Sequence, residues 1–353
     1  MRFLHLKCLL SGLSEDSLSN SRIPVRLGIS GVYTWFNPLP STCFRSIQAA
    51  VDAAAATITI GKDKIDFYPG TYVENVVIGA GNEVDIKGDG PGLIIVHPLA
   101  GTAGPAFLAD GAGKVKIKDL TVDGLSGMPG AVVTGIQFLN TEGAVKNTEV
   151  LNIRNPTGAA QGIGIRVDTD NGGNHKVKIK DNLISNYTRV GILGDGVGAD
   201  LDIKNNAVMG PALPRVSAPN GIQVSRGAKG KVEKNEVDNN PSPNPPGGVG
   251  SGIILFCSGP GVKVKDNEVT EADLGVTVID ASLAKVEKND ISGSGFAGIY
   301  IFDGSTNTIK LNDIATSGVV DARDDTVGGG TAGTDNTWDQ NNCATSSPAG
   351  LCN

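Results

Sequence analysis

Three segments hold residue types that could do acid–base chemistry at a useful spacing. "GIRVDT" sets Arg166 and Asp168 two residues apart. "GILGD" sets Asp195 at the same offset from its glycine, and "GIQVSR" brings Gln223, Ser225 and Arg226 to that place. In an extended strand, residues two apart share a face. Ile165 and Val167 then point inward, and Arg166 and Asp168 point outward. With the segments side by side as strands, Asp168 and Asp195 stand about 5 Å apart. Two ionised carboxylates at that separation repel. They need a cation between them, an arginine alongside, or a shared proton, and each arrangement is chemically useful.

Two chemistries fit the pattern. In the first, a Ca²⁺ ion held by Asp168, Asp170 and Asp195 neutralises a carboxylate on the substrate and acidifies the C–H beside it. In the second, the two carboxylates share acid and base work without a metal, and about 5 Å is the separation of retaining glycosidases. The loop "DTDNGGN" half-matches a calcium loop but lacks the distal glutamate. The plain alternative is a set of solvated polar residues on an exposed strand. His5, His97 and His175 show no metal-type spacing, no C-x-x-C pair exists, and no phosphate-cradling glycine loop follows a strand.

The elements that would position these residues repeat along the chain. Six segments, VKIKDNLI, LDIKNNAV, KVEKNEV, VKVKDNEV, KVEKNDI and TIKLNDI, align on Asn182, Asn206, Asn235, Asn267, Asn289 and Asn312. A seventh, KVKIKDLTV, has Leu120 at that position. A β-branched residue precedes each anchor by three and, in the asparagine copies, another follows by two. Alternation on both sides of a bend means two short strands with one face buried. A second recurring element has Gly135, Gly164, Gly191, Gly221, Gly252, Gly275 and Gly298 before an alternating apolar run. Three short strands every roughly 22–32 residues is a solenoid signature. The buried columns are valine and isoleucine with no helix between, so the expected fold is all-β, a parallel β-helix of three strands per coil. Insertions enter only between an asparagine bend and the next glycine element, as "MGPALPRVSAPN" and "DNNPSPNPPGGVGS". Insertions gathered on one face often build a binding site.

An open solenoid exposes an apolar cross-section at each end. The expected order is an uncertain leader over 1–40, a capping helix within 41–60, the coils over 61–316 and an irregular cap over 317–353. Ser41 or Thr42 is the expected helix cap, with Ile47, Val51 and Ala54 on the buried face. Trp338 is the expected apolar plug of the far end. Cys343 and Cys352 bracket a loop a disulfide could close, which favours an oxidising compartment. Cys43 and Cys257 are expected as buried filler.

The run "IQAAVDAA…IDFYPGTYVENVVI…VDIKGDGPG" resembles the start of pectin lyase-like right-handed β-helix proteins, above all the amino-terminal part of pectin methylesterases. With the asparagine-anchored coils the resemblance covers residues 41 to about 316. It implies that Gly70, Tyr72 and Glu74 are structural and that a substrate cleft lies on the glycine-element sheet. The esterases' aspartates, in a Gly-Thr-Val-Asp-Phe-Ile-Phe-Gly-like context, are absent, and so is the Asn-Thr-Asp pattern of polygalacturonases. The resemblance therefore implies contact with polysaccharide, as a lyase or hydrolase on uronate glycans, without fixing catalysis. In the similar pectate lyases an arginine takes the proton, the role expected of Arg166 or Arg226. Gln223, Arg226 and Tyr300 are the expected substrate-binding residues, with apolar Ile254, Phe256, Ile279 and Phe302 beside them. The alternative is a non-catalytic structural or surface-adhesion β-helix.

A lysine stripe (Lys116, Lys118, Lys178, Lys180, Lys204, Lys263, Lys265 and Lys310) faces outward before the asparagines, mixed with Asp202, Glu233 and Glu287. It could hold a polyanionic glycan or simply keep the face soluble. The formal charge of −7 makes nucleic acid an unfavourable partner. No apolar run is long enough to span a bilayer. The expected setting is extracellular or at the cell surface.

Overall fold

The computed structural model describes residues 44–56, 62–99, 104–125, 134–154, 162–211, 217–242 and 248–352, together with the backbone of 3–5. The other residues of the expected leader, with Ser41, Thr42 and Cys43, lie outside that set. Among the described residues, three parallel sheets of 12, 11 and 10 strands wind into a right-handed β-helix. One coil shows the plan. Ile163–Asp168 lies in the glycine-element sheet, His175–Lys180 in the lysine sheet and Leu183–Ser185 in the third sheet. Val190–Asp195 then starts the next coil directly beside Ile163–Asp168. The backbone of Phe3–His5 adds a parallel strand beside Asp63–Asp66 at the start of the lysine sheet.

Alternation forces the core. Ile165, Ile192, Ile222, Ile253 and Val276 form one inward row across successive coils, each fully buried. Every coil repeats this, so the apolar rows run unbroken through the cylinder. The glycines beside them are required by space. A Cβ on Gly191 would lie 2.5 Å from Val208 Cγ1 and 2.7 Å from the Gly221 carbonyl oxygen.

The bends work as the repeat predicts. The residue before each anchor takes the left-handed conformation, with φ of 57° at Asp181, 53° at Asn205 and 56° at Lys234. The anchors are buried and linked from coil to coil. The Nδ2 of Asn182 donates to Asn206 Oδ1 at 2.9 Å, Asn206 to Asn235 at 2.9 Å, and Asn235 to Asn267 at 3.0 Å. Asn267, Asn289 and Asn312 continue the row, and Asn341 adds a rung beyond the expected repeat. Each amide also donates to a carbonyl of the preceding coil, as Asn206 does to Ile179 at 2.9 Å. These bonds satisfy backbone groups that a sharp bend would otherwise leave unpaired.

The helix Ile47–Ala55 covers the first coils with Ile47, Ala50, Val51 and Ala54. Its cap is Ser46, whose Oγ accepts from the Ala49 amide, not Ser41 or Thr42. Glu74 explains the shift: its carboxylate accepts from the Ile47 and Gln48 amides at 2.8 and 2.9 Å, favourable chemistry at a helix N-terminus. At the other end the coils continue past 316. Val320–Asp324 joins the glycine-element sheet and Thr337–Asp339 the lysine sheet. Trp338 is buried there, and its Nε1 donates to Asp324 at 2.8 Å. Cys343 and Cys352 are disulfide-bonded. Cys257 is half-buried at a left-handed corner rather than packed as filler.

Candidate functional site

The glycine-element sheet sets the register of the site. Gln137, Arg166, Leu193, Gln223, Ile254, Thr277, Tyr300 and Arg323 occupy one outward column. Two residues further along each strand, Leu139, Asp168, Asp195, Ser225 and Phe256 form a second. Asp168 and Asp195 are thus direct neighbours on adjacent strands, as their matched offsets predict. Both are buried, with 8% and 4% of their surface exposed, so their charges are not left to water.

Of the three ways to relieve their repulsion, the structure uses arginine. Arg166 Nε lies 2.8 Å from Asp168 Oδ1 and 2.7 Å from Oδ2. Gln137, one coil earlier, donates to Asp168 Oδ2 at 2.8 Å. Arg226 donates through Nε to Asp195 Oδ1 at 2.6 Å and through Nη2 to Oδ2. Ser225 Oγ donates to Asp195 Oδ1 at 3.1 Å. Arg226 reaches back one coil because it sits in the left-handed conformation, φ 50°, at the strand end.

Burial pushes the Asp168 carboxyl above the usual carboxylate range, and the charge of Asp195 pushes the same way. Arg166 and Gln137 oppose this without cancelling it. The hydrogen bond and charge of Asp195 hold Arg226 protonated more firmly than a free arginine. That works against Arg226 as a proton acceptor.

Asp170 does not join the pair. It lies past the end of its strand, where alternation no longer governs direction, and turns to the preceding coil. Asn140 Nδ2 donates to its Oδ1 at 2.6 Å. The expected calcium set of Asp168, Asp170 and Asp195 is therefore not brought together. Among the described residues no group of three or more His, Cys, Asp or Glu is placed to hold a metal ion.

Gln223 lies two coils from Arg166, its Oε1 accepting from Asn220 at 3.0 Å. Tyr300 is five strands from Arg166 in the same column, about 24 Å away at the usual strand spacing. It belongs to a second cluster. Its hydroxyl donates to Asp325 Oδ2 at 2.6 Å, and burial together with Asp325 pushes its pKa up to about 12. Arg323 lies over the Tyr300 ring at 4.9 Å and the Phe296 ring at 5.6 Å, and pairs with Asp325. Phe302 meets Tyr300 edge-on and is 55% exposed; Phe256, between the two clusters, is 40% exposed. The repeat gives no hint of Arg323 or Asp325, because their strand lacks the marker glycine. Gln137 was legible as the position before Arg166 in the column.

The insertions both connect the third sheet to the glycine-element sheet, Ala207–Met209 to Asn220–Ser225 and Glu236–Asn240 to Ser251–Phe256. They leave from one corner, beside the candidate face. Residues 243–247 of the Pro-rich insertion lie outside the described set.

Residues 109–314, more than half the chain, match the family model for the right-handed β-helix region. A periplasmic alginate epimerase superposes with a TM-score of 0.53 at 13% identity, over 81% of this chain and 75% of that one. An alginate lyase from Paenibacillus sp. gives 0.55 at 13%, over 76% and 93%. A tailspike protein of an Escherichia coli O157:H7 bacteriophage gives 0.56 at 13%, over 76% of this chain but only 36% of the tailspike. No curated protein matches by sequence. At these identities the likeness is one of fold. The stacked coils, the asparagine row and the family match agree, and the chain belongs to the right-handed β-helix family.

Proposed function

We propose that the protein binds or processes polysaccharide along the glycine-element sheet, outside the cell or in another oxidising compartment. The observation that carries the reading is the buried Asp168–Asp195 pair, each carboxylate gripped by its own arginine, on a face flanked by exposed Phe256 and Phe302. Three fold relatives whose names speak of alginate or of a phage tailspike support it. The tail disulfide supports the compartment.

As an enzyme, the site favours the two-carboxylate chemistry. Asp168, with its raised pKa, keeps a proton for a leaving group. Asp195, paired with Arg226, is the candidate nucleophile or base. The strand spacing of about 4.8 Å matches a retaining hydrolase. The calcium-assisted lyase on uronate polymers is the alternative route, and its donor set would have to form from Asp168 and Asp195 with groups other than Asp170. A second reading, binding without turnover, is favoured by one observation: both arginines are already occupied by carboxylates.

The test is turnover of alginate, polygalacturonate and neutral glucans, each with calcium and with EDTA. Unsaturated product and new reducing ends are followed separately. Asp168→Asn and Asp195→Asn are expected to abolish either signal. Full activity in the double variant would refute the site, and binding with no turnover on any polymer would establish the second reading.

A further inference from the structure

The lysine sheet carries a region that its own pattern of charge pairing does not explain. Several lysines of this face meet acids on neighbouring strands. Lys180 lies 2.8 Å from Asp202, Lys310 3.5 Å from Glu287, and Lys176 3.8 Å from Asp200. Between these pairs the column Lys231, Lys263, Lys285 places three ammonium groups on successive strands in direct register. Among the described residues none of the three, nor the neighbouring Lys229, has a carboxylate within ion-pair distance. Like charges directly opposite one another destabilise a sheet. The sheet's other outward column also sets lysines in register, Lys87, Lys118, Lys146, Lys180 and Lys204, but there Lys146 and Lys180 are held by Asp181 and Asp202.

The same region is concave. A hollow of about 310 Å³ is lined by Lys176, Lys229, Lys231, Lys263, Gly230 and Pro260, among others. Its cause is a change in strand length. Lys229–Glu233 spans five residues, but its neighbour Lys263–Lys265 spans three. The missing strand start is replaced by the turn at Pro260 and Gly261, so the sheet floor opens beside Gly230, which has no side chain to fill it. A ligand entering there meets ammonium groups on two sides. Asp200 and Asp202 also line the hollow, each paired with a lysine, Lys176 and Lys180.

We propose that this hollow and the lysine column running from it bind an acidic glycan, laid along the helix axis with its carboxylate or sulfate groups on Lys231, Lys263 and Lys285. The ligand class rests on the polysaccharide reading above; the site does not, since it lies on a different sheet. Lysines about 4.8 Å apart along the axis suit an anionic group repeated along a chain better than one isolated anion. With an overall formal charge of −7, attraction for a polyanion has to come from a local lysine surplus such as this one. The glycine-element face has no comparable surplus, because Arg166, Arg226 and Arg323 are each matched by an aspartate.

The experiment titrates the whole protein with polygalacturonate oligosaccharides, neutral dextran of similar length, inorganic phosphate and single-stranded DNA, at low and physiological salt. Polygalacturonate is expected to bind, more weakly as salt rises, and dextran to bind far less. The combined variant Lys229→Gln, Lys231→Gln, Lys263→Gln is expected to lose about tenfold in affinity, the scale of several exposed ion pairs, with a melting temperature no lower than that of the parent protein. Undiminished binding by that variant, or none by the parent protein, overturns the proposal. So does phosphate competing at the concentration of the oligosaccharide, which marks a small-anion site, or DNA binding as tightly as the glycan. Asp168→Asn and Asp195→Asn serve as the second arm and are expected to leave this binding intact. Loss of binding in that arm with full binding by the lysine variant places the glycan on the other face and overturns this inference while sparing the proposed function.

Discussion

Replacing Arg166 by Gln removes the charge that faces Asp168 while keeping a polar side chain. A hydrogen bond to a charged group contributes about 1.5–3 kcal/mol. The Arg166 side chain is 31% exposed and that of Asp168 11%, so the lower end, about 1.5 kcal/mol, is the fair figure after solvent screening. Without that partner the Asp168 pKa should rise further above the usual carboxylate range. The sign for stability follows from the direction of the shift. The folded value already lies above the unfolded one, so the folded state holds this proton more tightly. The associated stability is full below the unfolded pKa and is lost as pH rises through the folded pKa. In the variant that loss extends further, and stability near neutral pH falls by about 1.5 kcal/mol more. Carbon-13 NMR of the Asp168 carboxyl reads the pKa, and urea midpoints in acid and at neutral pH read the stability. In an Asp168→Asn background the charge is gone, and the same Arg166→Gln change should cost under about 0.5 kcal/mol. An equal cost in both backgrounds would refute the reasoning, because Arg166 would then act by packing rather than by charge.

Asn267→Ala removes an amide that donates to Asn289 and Val232 and accepts from both the backbone and side chain of Asn235. A loss of about 3 kcal/mol is expected in denaturant titrations, since buried partners are left unpaired. Gly191→Ala should cost about 1–3 kcal/mol by crowding Val208 and the Gly221 carbonyl, seen as a lowered melting temperature. Acid should loosen the last coil. Burial raises the Asp321 pKa, but hydrogen bonds from the amides of Ala344 and Thr345, from Ser317 and from the Thr345 hydroxyl together outweigh it and leave it low. A depressed carboxyl contributes stability above its unfolded pKa and loses it as pH falls through the folded value. Hydrogen exchange at the Ala344 and Thr345 amides should therefore quicken at low pH, and Asp321→Asn should flatten that dependence.

Most of the fold was legible because each coil needs the same groups in the same places. The asparagine at the bend and the β-branched residues around it are local demands, so they recur as text. What escaped depended on partners far along the chain. Ser46 caps the helix because Glu74 arrives from another element. Asn341 joins the row without a β-branched residue two positions later, so nothing in its surroundings marks it. At the site, the Asp168–Asp195 pairing could be read from matched offsets to glycine. The fate of Asp170 could not, because alternation stops where the strand does. Tyr300 joins Arg323 and Asp325 only once register across the last coils is known.

The asparagine row makes coils interchangeable. Every rung offers its Oδ1 to the coil before it and its Nδ2 to the coil after it, so a coil begins and ends on the same two functional groups. Duplicating or deleting a whole coil would restore those bonds at the splice and leave the covers at both ends untouched. The molecule would lengthen or shorten in steps of about 4.8 Å, and each face would gain or lose one row of outward side chains with every coil.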